Sequence, residues 1–276
     1  MSAKTKEEYF ASGTTPVPEG SDVYSPVYRM NESKVLVREL EIDVGLDGEK
    51  IELAMLSDMH IRKERADIYA AVTNAMECAS FSDQIILCGD NIECVSDDEH
   101  IRLFKETVLE PYPDTICVVG NHDQFYGDPA ECRKKLDSVW PHDSYCHTKL
   151  LKEKLYIIAA DDNTGVFSEN VCERVAKELE FARKMGYPVL LFIHIGFNRL
   201  KMELGANQKM NDIIISYADT VKAVFAGHNH VDYHEDIAAY FIDKDGNRIE
   251  KAIPLYKLQA NSEPDFTGNV LFLKIR

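Results

Sequence analysis

Ile116-Cys117-Val118-Val119-Gly120-Asn121-His122-Asp123 passes from an apolar run through a glycine to side chains that bind metals or move protons. The same kind of transition ends four other runs. Ile51 to Leu56 leads to Asp58-Met59-His60, Ile85 to Cys88 to Gly89-Asp90-Asn91, Val189 to Ile193 to His194, and Ala223 to Ala226 to Gly227-His228-Asn229-His230. Runs this short, mostly β-branched or aliphatic and without polar alternation, read as strands buried on both faces, although each alone also fits a buried helix segment. As strands, they deliver their polar residues to one edge. Open α/β sheets bind ligands there, beyond the carboxyl ends of their strands.

An isolated histidine at a strand end is more often a hydrogen-bonded polar residue than a ligand. The joint pattern outweighs that reading. Of nine histidines, five (His60, His122, His194, His228 and His230) fall just after the apolar runs. Asp58 and His60 lie two apart, as do His228 and His230, so on an extended strand end each pair projects to one side. Imidazole, carboxylate and amide oxygen together suit borderline ions such as Mn, Fe, Zn or Co. Two such ions roughly 3.5–4 Å apart need an anionic bridge, and they clamp the attacking and leaving oxygens of an in-line phosphoryl displacement. Asp90 is the natural bridge. Gly89 lets the chain turn and aim that carboxylate, and Gly120 and Gly227 are expected to do the same in their own motifs.

In order and composition the motifs resemble the calcineurin-like metallophosphoesterase superfamily, whose pattern reads D-x-H, GD, GNH[DE], H, GHxH. The resemblance spans about residues 35 to 235. It implies an α/β fold, a four-layer α/β/β/α sandwich of two facing mixed β-sheets flanked by helices. It further implies that Asp58, His60 and His230 bind one metal, that Asn121, His194 and His228 bind the other, and that Asp90 bridges them. Two divalent or trivalent ions are expected, Mn, Fe or Zn before others. His122 takes the place of the family's general acid, with Asp123 as the partner that orients it and raises its pKa. The chemistry implied is direct hydrolysis of a phosphoric ester by a metal-activated water, without a covalent enzyme intermediate.

Departures from named branches narrow the resemblance. The protein Ser/Thr phosphatase pattern GDxVDRG and RGNHE is replaced by Gly89-Asp90-Asn91-Ile92-Glu93-Cys94 and Val119-Gly120-Asn121-His122-Asp123, so its phosphate-gripping arginines are missing. Purple acid phosphatases place a tyrosine ligand where Glu93 stands. The chain looks more like the bacterial-type phosphodiesterase and phosphatase group, with Glu93 either behind the ligands or a solvated loop carboxylate. A phosphodiesterase is favoured. A phosphomonoesterase with the same site is the alternative, and a non-catalytic protein-binding scaffold is the alternative of another class.

Length and composition fit one large domain: 276 residues, 45% hydrophobic, with no linker-like interruption of the motif region. Residues 1–33 are expected to be an arm or tail, and 34–276 a single domain with a strand-rich end from about 233. The formal net charge of −16 argues against a general nucleic-acid or anionic-membrane surface. It leaves room for a small phosphorylated substrate, such as a nucleotide, because two metal ions dominate their local field. The N-terminus lacks a signal-peptide pattern, no segment approaches a membrane span, and seven scattered cysteines fit a reducing compartment, so the cytoplasm is expected.

Between the motifs, Val35 to Val44 and Ile51 to Leu56 read as two strands around the turn signal Asp47-Gly48. Helices are expected at about Glu64 to Ala79, Asp97 to Glu110, Pro129 to Val139 and Glu169 to Met185, and a further strand at Leu155 to Ala160, with Asp161 and Asp162 at its mouth. Tyr233 to Ile242, Ile249 to Gln259 and Val270 to Ile275 read as antiparallel strands. Within Gly196 to Gln208, Phe197 and Arg199, with Lys201, are candidates to line the substrate pocket by stacking and by phosphate contact. His100, His142, His147 and His234 lie outside the motifs and receive no chemistry.

Overall fold

The computed structural model describes residues 14–15, 27–30, 35–48, 50–125, 127–162, 165–196, 206–242, 245–261 and 268–276. The elements in chain order are β1 (Thr14–Thr15), β2 (Val27–Met30), β3 (Leu36–Ile42), β4 (Ile51–Leu56), α1 (Ala66–Ala79) and β5 (Gln84–Cys88). Next come α2 (Asp98–Phe104) with a π-helical continuation over Lys105–Leu109, β6 (Ile116–Val118), α3 (Asn121–Phe125), α4 (Pro129–Val139), β7 (Cys146–Leu151) and β8 (Leu155–Ala160). The chain ends with α5 (Glu169–Met185), β9 (Val189–Phe192), α6 (Ala206–Ser216), β10 (Val221–Ala226), β11 (Tyr233–Ile242), β12 (Arg248–Lys257) and β13 (Asn269–Ile275).

Local chemistry sets the helix limits. Asp128 caps α4 by accepting the Ala130 and Glu131 N–H groups, with proline in the first turn where no donor is needed. Ser168 caps α5 through the Val171 N–H, and Gly186 ends that helix at φ 74°, a conformation that costs glycine little. Along α5 the buried Val171, Cys172, Val175, Leu179 and Ala182 recur at helical spacing, so one stripe faces inward.

Two mixed sheets result, a seven-stranded one in the order β1-β2-β3-β13-β4-β5-β6 and a six-stranded one in the order β11-β12-β10-β9-β8-β7. Their inner faces meet in one core, where Leu53, Met55 and Ile86 pack with Leu190, Phe192 and Phe225. On the outer face of the first sheet, α1, α2 and α4 bury Ile68, Val72, Met76, Phe104 and Leu136. On that of the second, α5 and α6 bury Val175, Leu179, Met210 and Ile214. The layers are therefore helix, sheet, sheet, helix, each apolar face covered by the next.

Two pairings differ from the sequence reading. β3 and β4 flank the Asp47-Gly48 turn but are not partners, because β13 lies between them, parallel to β3 and antiparallel to β4. The stretch read as the last antiparallel strand of the tail thus completes the other sheet. β11 and β12 do form an antiparallel hairpin, but β12 runs parallel to β10. Within the stretch expected to be an arm or tail, β2 pairs with β3 and β1 with β2. Among the described residues no helix is long and apolar enough to cross a membrane.

Candidate metal centre

β4, β5 and β6 run parallel in one sheet, and β8, β9 and β10 run parallel in the other. Loops from both sets therefore leave their strands at comparable ends, and the contacts below bring them together between the sheets. Past β4 and β5 the ladder continues for a few residues: Asp58 N–H donates to Gly89 O (3.0 Å) and His60 N–H to Asp90 O (2.9 Å), before Ile61 bridges Ile92. These loops are bent sharply. Asp58 (φ 52°), His60 (47°), Asp90 (51°), His228 (70°) and His230 (59°) all occupy the left-handed region. Non-glycine residues there carry a backbone cost that persists only where surroundings enforce it, a common property of functional sites. Gly89 has φ 89° and lies against the His194 ring. Gly227 has no positive φ; it is needed for space, since a side-chain carbon there would collide with Ser57 Oγ and Asp58 Oδ2.

Among the described residues three groups of donors have ligand atoms within 4.8 Å of one another: Asp58, His60 and His230; Asp90, His194 and His228; and His60, Glu93 and His122, which shares His60 with the first. Asp90 Oδ2 stands 3.2 Å from His194 Nε2 and 3.7 Å from His60 Nε2, so this carboxylate reaches both of the first two. Asn121 Oδ1 is 3.0 Å from His194 Nε2, adding an amide oxygen to the second. His194 Nδ1 meets Cys88 O at 2.8 Å, and His60 Nδ1 meets Glu93 Oε2 at 3.0 Å. Such acceptors fix the tautomer and aim the other ring nitrogen inward. The His60 Nε2 so aimed is buried without a hydrogen-bond partner, an arrangement that suits a metal and is costly without one.

The carboxylates are held by opposing effects. Burial works against the Asp90 charge, but the His194 charge and hydrogen bond, His60 and the His122 N–H outweigh it and keep the carboxyl well below the usual carboxylate range. Asp58 accepts the Ser57 hydroxyl at 2.5 Å and the His228 N–H at 3.0 Å. Asp162, from the mouth of β8, accepts the Ile195 N–H (2.6 Å) and Gly196 N–H (3.2 Å), and burial pushes its carboxyl up to about 6. It steadies the backbone after His194. Asp161 instead binds Gln124 Nε2 (3.2 Å) and Arg133 NH1 (2.5 Å).

One assignment needs correction. Asp123, expected to orient His122, is fully buried and accepts the N–H groups of Gly120 (2.7 Å), Asn91 (3.0 Å) and Ile92 (2.9 Å), plus the Asn91 amide (3.0 Å). It knits the Gly89–Ile92 loop to the Gly120–Asp123 loop; burial and the neighbouring Asp90 charge push it up to about 7. The carboxylate beside His122 is Glu93, with Oε1 3.3 Å from His122 Nδ1. Glu93 also faces Arg62 NH1 at 3.4 Å. The sequence placed Glu93 either behind the ligands or in solvent; in the structure it contacts both His60 and His122. Phe197, Arg199 and Lys201 lie outside the described residues.

The family model described as calcineurin-like phosphoesterase matches residues 51–232. Similar solved structures include a dimetal phosphatase from Danio rerio, 12% identical with a TM-score of 0.50, covering 76% of this chain and 88% of that one. A purple acid phosphatase from yellow lupin (Lupinus luteus) seeds is also 12% identical, with a TM-score of 0.51, covering 90% of this chain but 48% of the lupin chain. At such identities these likenesses concern the fold. Comparison with curated protein sequences gave no match.

Proposed function

The chain belongs to the calcineurin-like phosphoesterase family, and from that premise we propose that it hydrolyses phosphoric esters, diesters in preference to monoesters, through a two-metal centre. The observation that carries this reading is that two donor sets, Asp58, His60 and His230 and Asp90, His194 and His228, lie side by side with Asp90 within reach of both. Asp58, His60 and His230 would hold one ion, Asn121, His194 and His228 the other, and Asp90 would be shared. When bound, two such ions supply an activated water and offset charge on the phosphoryl oxygens.

The residues around the ions do the rest. His122 donates a proton or hydrogen bond to the departing ester oxygen. Glu93 faces its Nδ1 side with one oxygen, and through its other oxygen it fixes His60. Ser57 and the His228 N–H hold the Asp58 carboxylate in place. Preference for diesters is supported by what stands at the mouth. No arginine follows the Glu93 position, as it does in the phosphatase pattern GDxVDRG, and Glu93 adds negative charge that disfavours a dianionic monoester. A small phosphorylated molecule, such as a cyclic or linear nucleotide, is the substrate class. The free cysteines fit a reducing cytoplasmic setting.

The test is an assay of Mn-reconstituted protein on an aryl phosphodiester and the matching monoester, with metal content measured in parallel. Two ions per chain and a higher kcat/KM for the diester are expected. No turnover of either ester by protein carrying two ions would overturn the enzymatic reading, and faster monoester turnover would reverse the preference.

A further inference from the structure

Lys257 ends β12 and pairs in register with Ala226, the residue before Gly227, and with Tyr233 of β11. It is only 8% exposed. Its Nζ donates to Asn229 Oδ1 at 2.7 Å and lies 3.4 Å from Ile195 O. Those two acceptors belong to two separate loops. Asn229 stands between His228 and His230, both in the left-handed region, and Ile195 follows His194. A buried ammonium is unfavourable unless its donors are satisfied, and its charge opposes any cation held nearby. Two effects of opposite sign therefore meet at Lys257: its charge weakens metal binding, and its hydrogen bonds hold ligand loops whose conformation is otherwise unfavourable.

We infer that Lys257 is a positioning residue that clamps the Gly227–His230 loop through Asn229 to the segment after His194, and that this clamp raises metal affinity by more than the lysine charge lowers it. The inference rests on the reading of His194, His228 and His230 as metal ligands. Charge alone predicts that Lys257→Met tightens metal binding; the clamp predicts the reverse.

Metal-free protein is titrated with Mn(II) under calorimetric detection, for the wild type, Lys257→Met, Asn229→Ala and the double variant. Lys257→Met is expected to weaken at least one binding step by about tenfold or more, the usual effect of losing a partner that orients ligands. Asn229→Ala should do the same, and the double variant should be no worse than either, because the residues act through one contact. The visible spectrum of the Co(II)-loaded variants should shift, which a loss of stability alone would not cause. Unchanged or tighter binding in Lys257→Met, or losses that multiply in the double variant, overturns the inference. If Lys257→Met does not fold, wild-type affinity in Asn229→Ala overturns it alone. Asp90→Ala is the control for the underlying reading: if it still binds two ions, the metal assignment has failed and not merely the clamp.

Discussion

Glu93 sits between two imidazoles, 3.0 Å from His60 Nδ1 and 3.3 Å from His122 Nδ1, and so would serve both metal holding and proton donation in the proposed reaction. The consequences separate by substitution. His122→Ala should leave metal content intact and lower kcat by roughly 10²–10⁴-fold, with alkyl esters suffering far more than nitrophenyl esters, whose leaving group departs nearly unaided. Equal losses on both ester types would mean that His122 positions phosphate and does not protonate the leaving group. Glu93→Gln should show the same leaving-group dependence with a smaller loss, and should also weaken one metal-binding step, which Mn titration reads. Asp123→Asn should act differently, lowering thermal stability, because it loosens the bonds that join two loops. That the residues after the apolar runs gather at strand ends was legible, because residue type and strand end coincide in the text. The partners of Glu93 and Asp162, and the place of Lys257, were not: they depend on which loop of another strand comes to face them, and no local period encodes that.

β6 is the outer strand of its sheet, and an outer strand leaves backbone groups unpaired. Here two side chains stand in for a neighbouring strand. The Cys117 N–H donates to His142 Nε2 (2.9 Å), and Trp140 Nε1 donates to Cys117 O (2.9 Å). His142 must be neutral to accept, and burial, with the charge of nearby His147, pushes it down to about 4. Its folded pKa lies below the unfolded value near 6.5, so the unfolded chain binds more protons between these limits. The stabilisation is fully present above pH 6.5 and fades as pH falls toward 4, by on the order of 2 kcal/mol. His142→Gln keeps an acceptor and cannot titrate. Urea midpoints measured from pH 7 to pH 4.5 should fall less steeply in that variant than in the wild type; parallel curves would remove His142 as the cause. Four of the helices were legible from their period, whereas strand partnership was not. The Asp47-Gly48 turn joins two strands that a third separates, and only the whole sheet order shows it.

At the scale of the molecule, the two sheets share one core, and the proposed centre depends on both. Ions that bind only the folded state stabilise it, by about 2.7 kcal/mol when free metal exceeds Kd a hundredfold. Mn should therefore raise the thermal midpoint of the wild type, and chelation should reverse the gain. In Asp90→Ala the increment should shrink or vanish; an undiminished increment would place the stabilising ion elsewhere. Removing residues 269–276 should abolish cooperative unfolding, observed by circular dichroism, although chain ends usually tolerate loss. The reason is β13, paired with β3 along its length and with β4 from Leu271 on, with Leu271 and Leu273 at 0% exposure. During synthesis the strands that bear Asp58, Asp90 and Asn121 leave the ribosome long before this one. The sheet that presents them stays split between β3 and β4 until β13 too has emerged, so in the nascent chain the proposed ligands are loose and gain a finished cradle only once that strand has closed the gap.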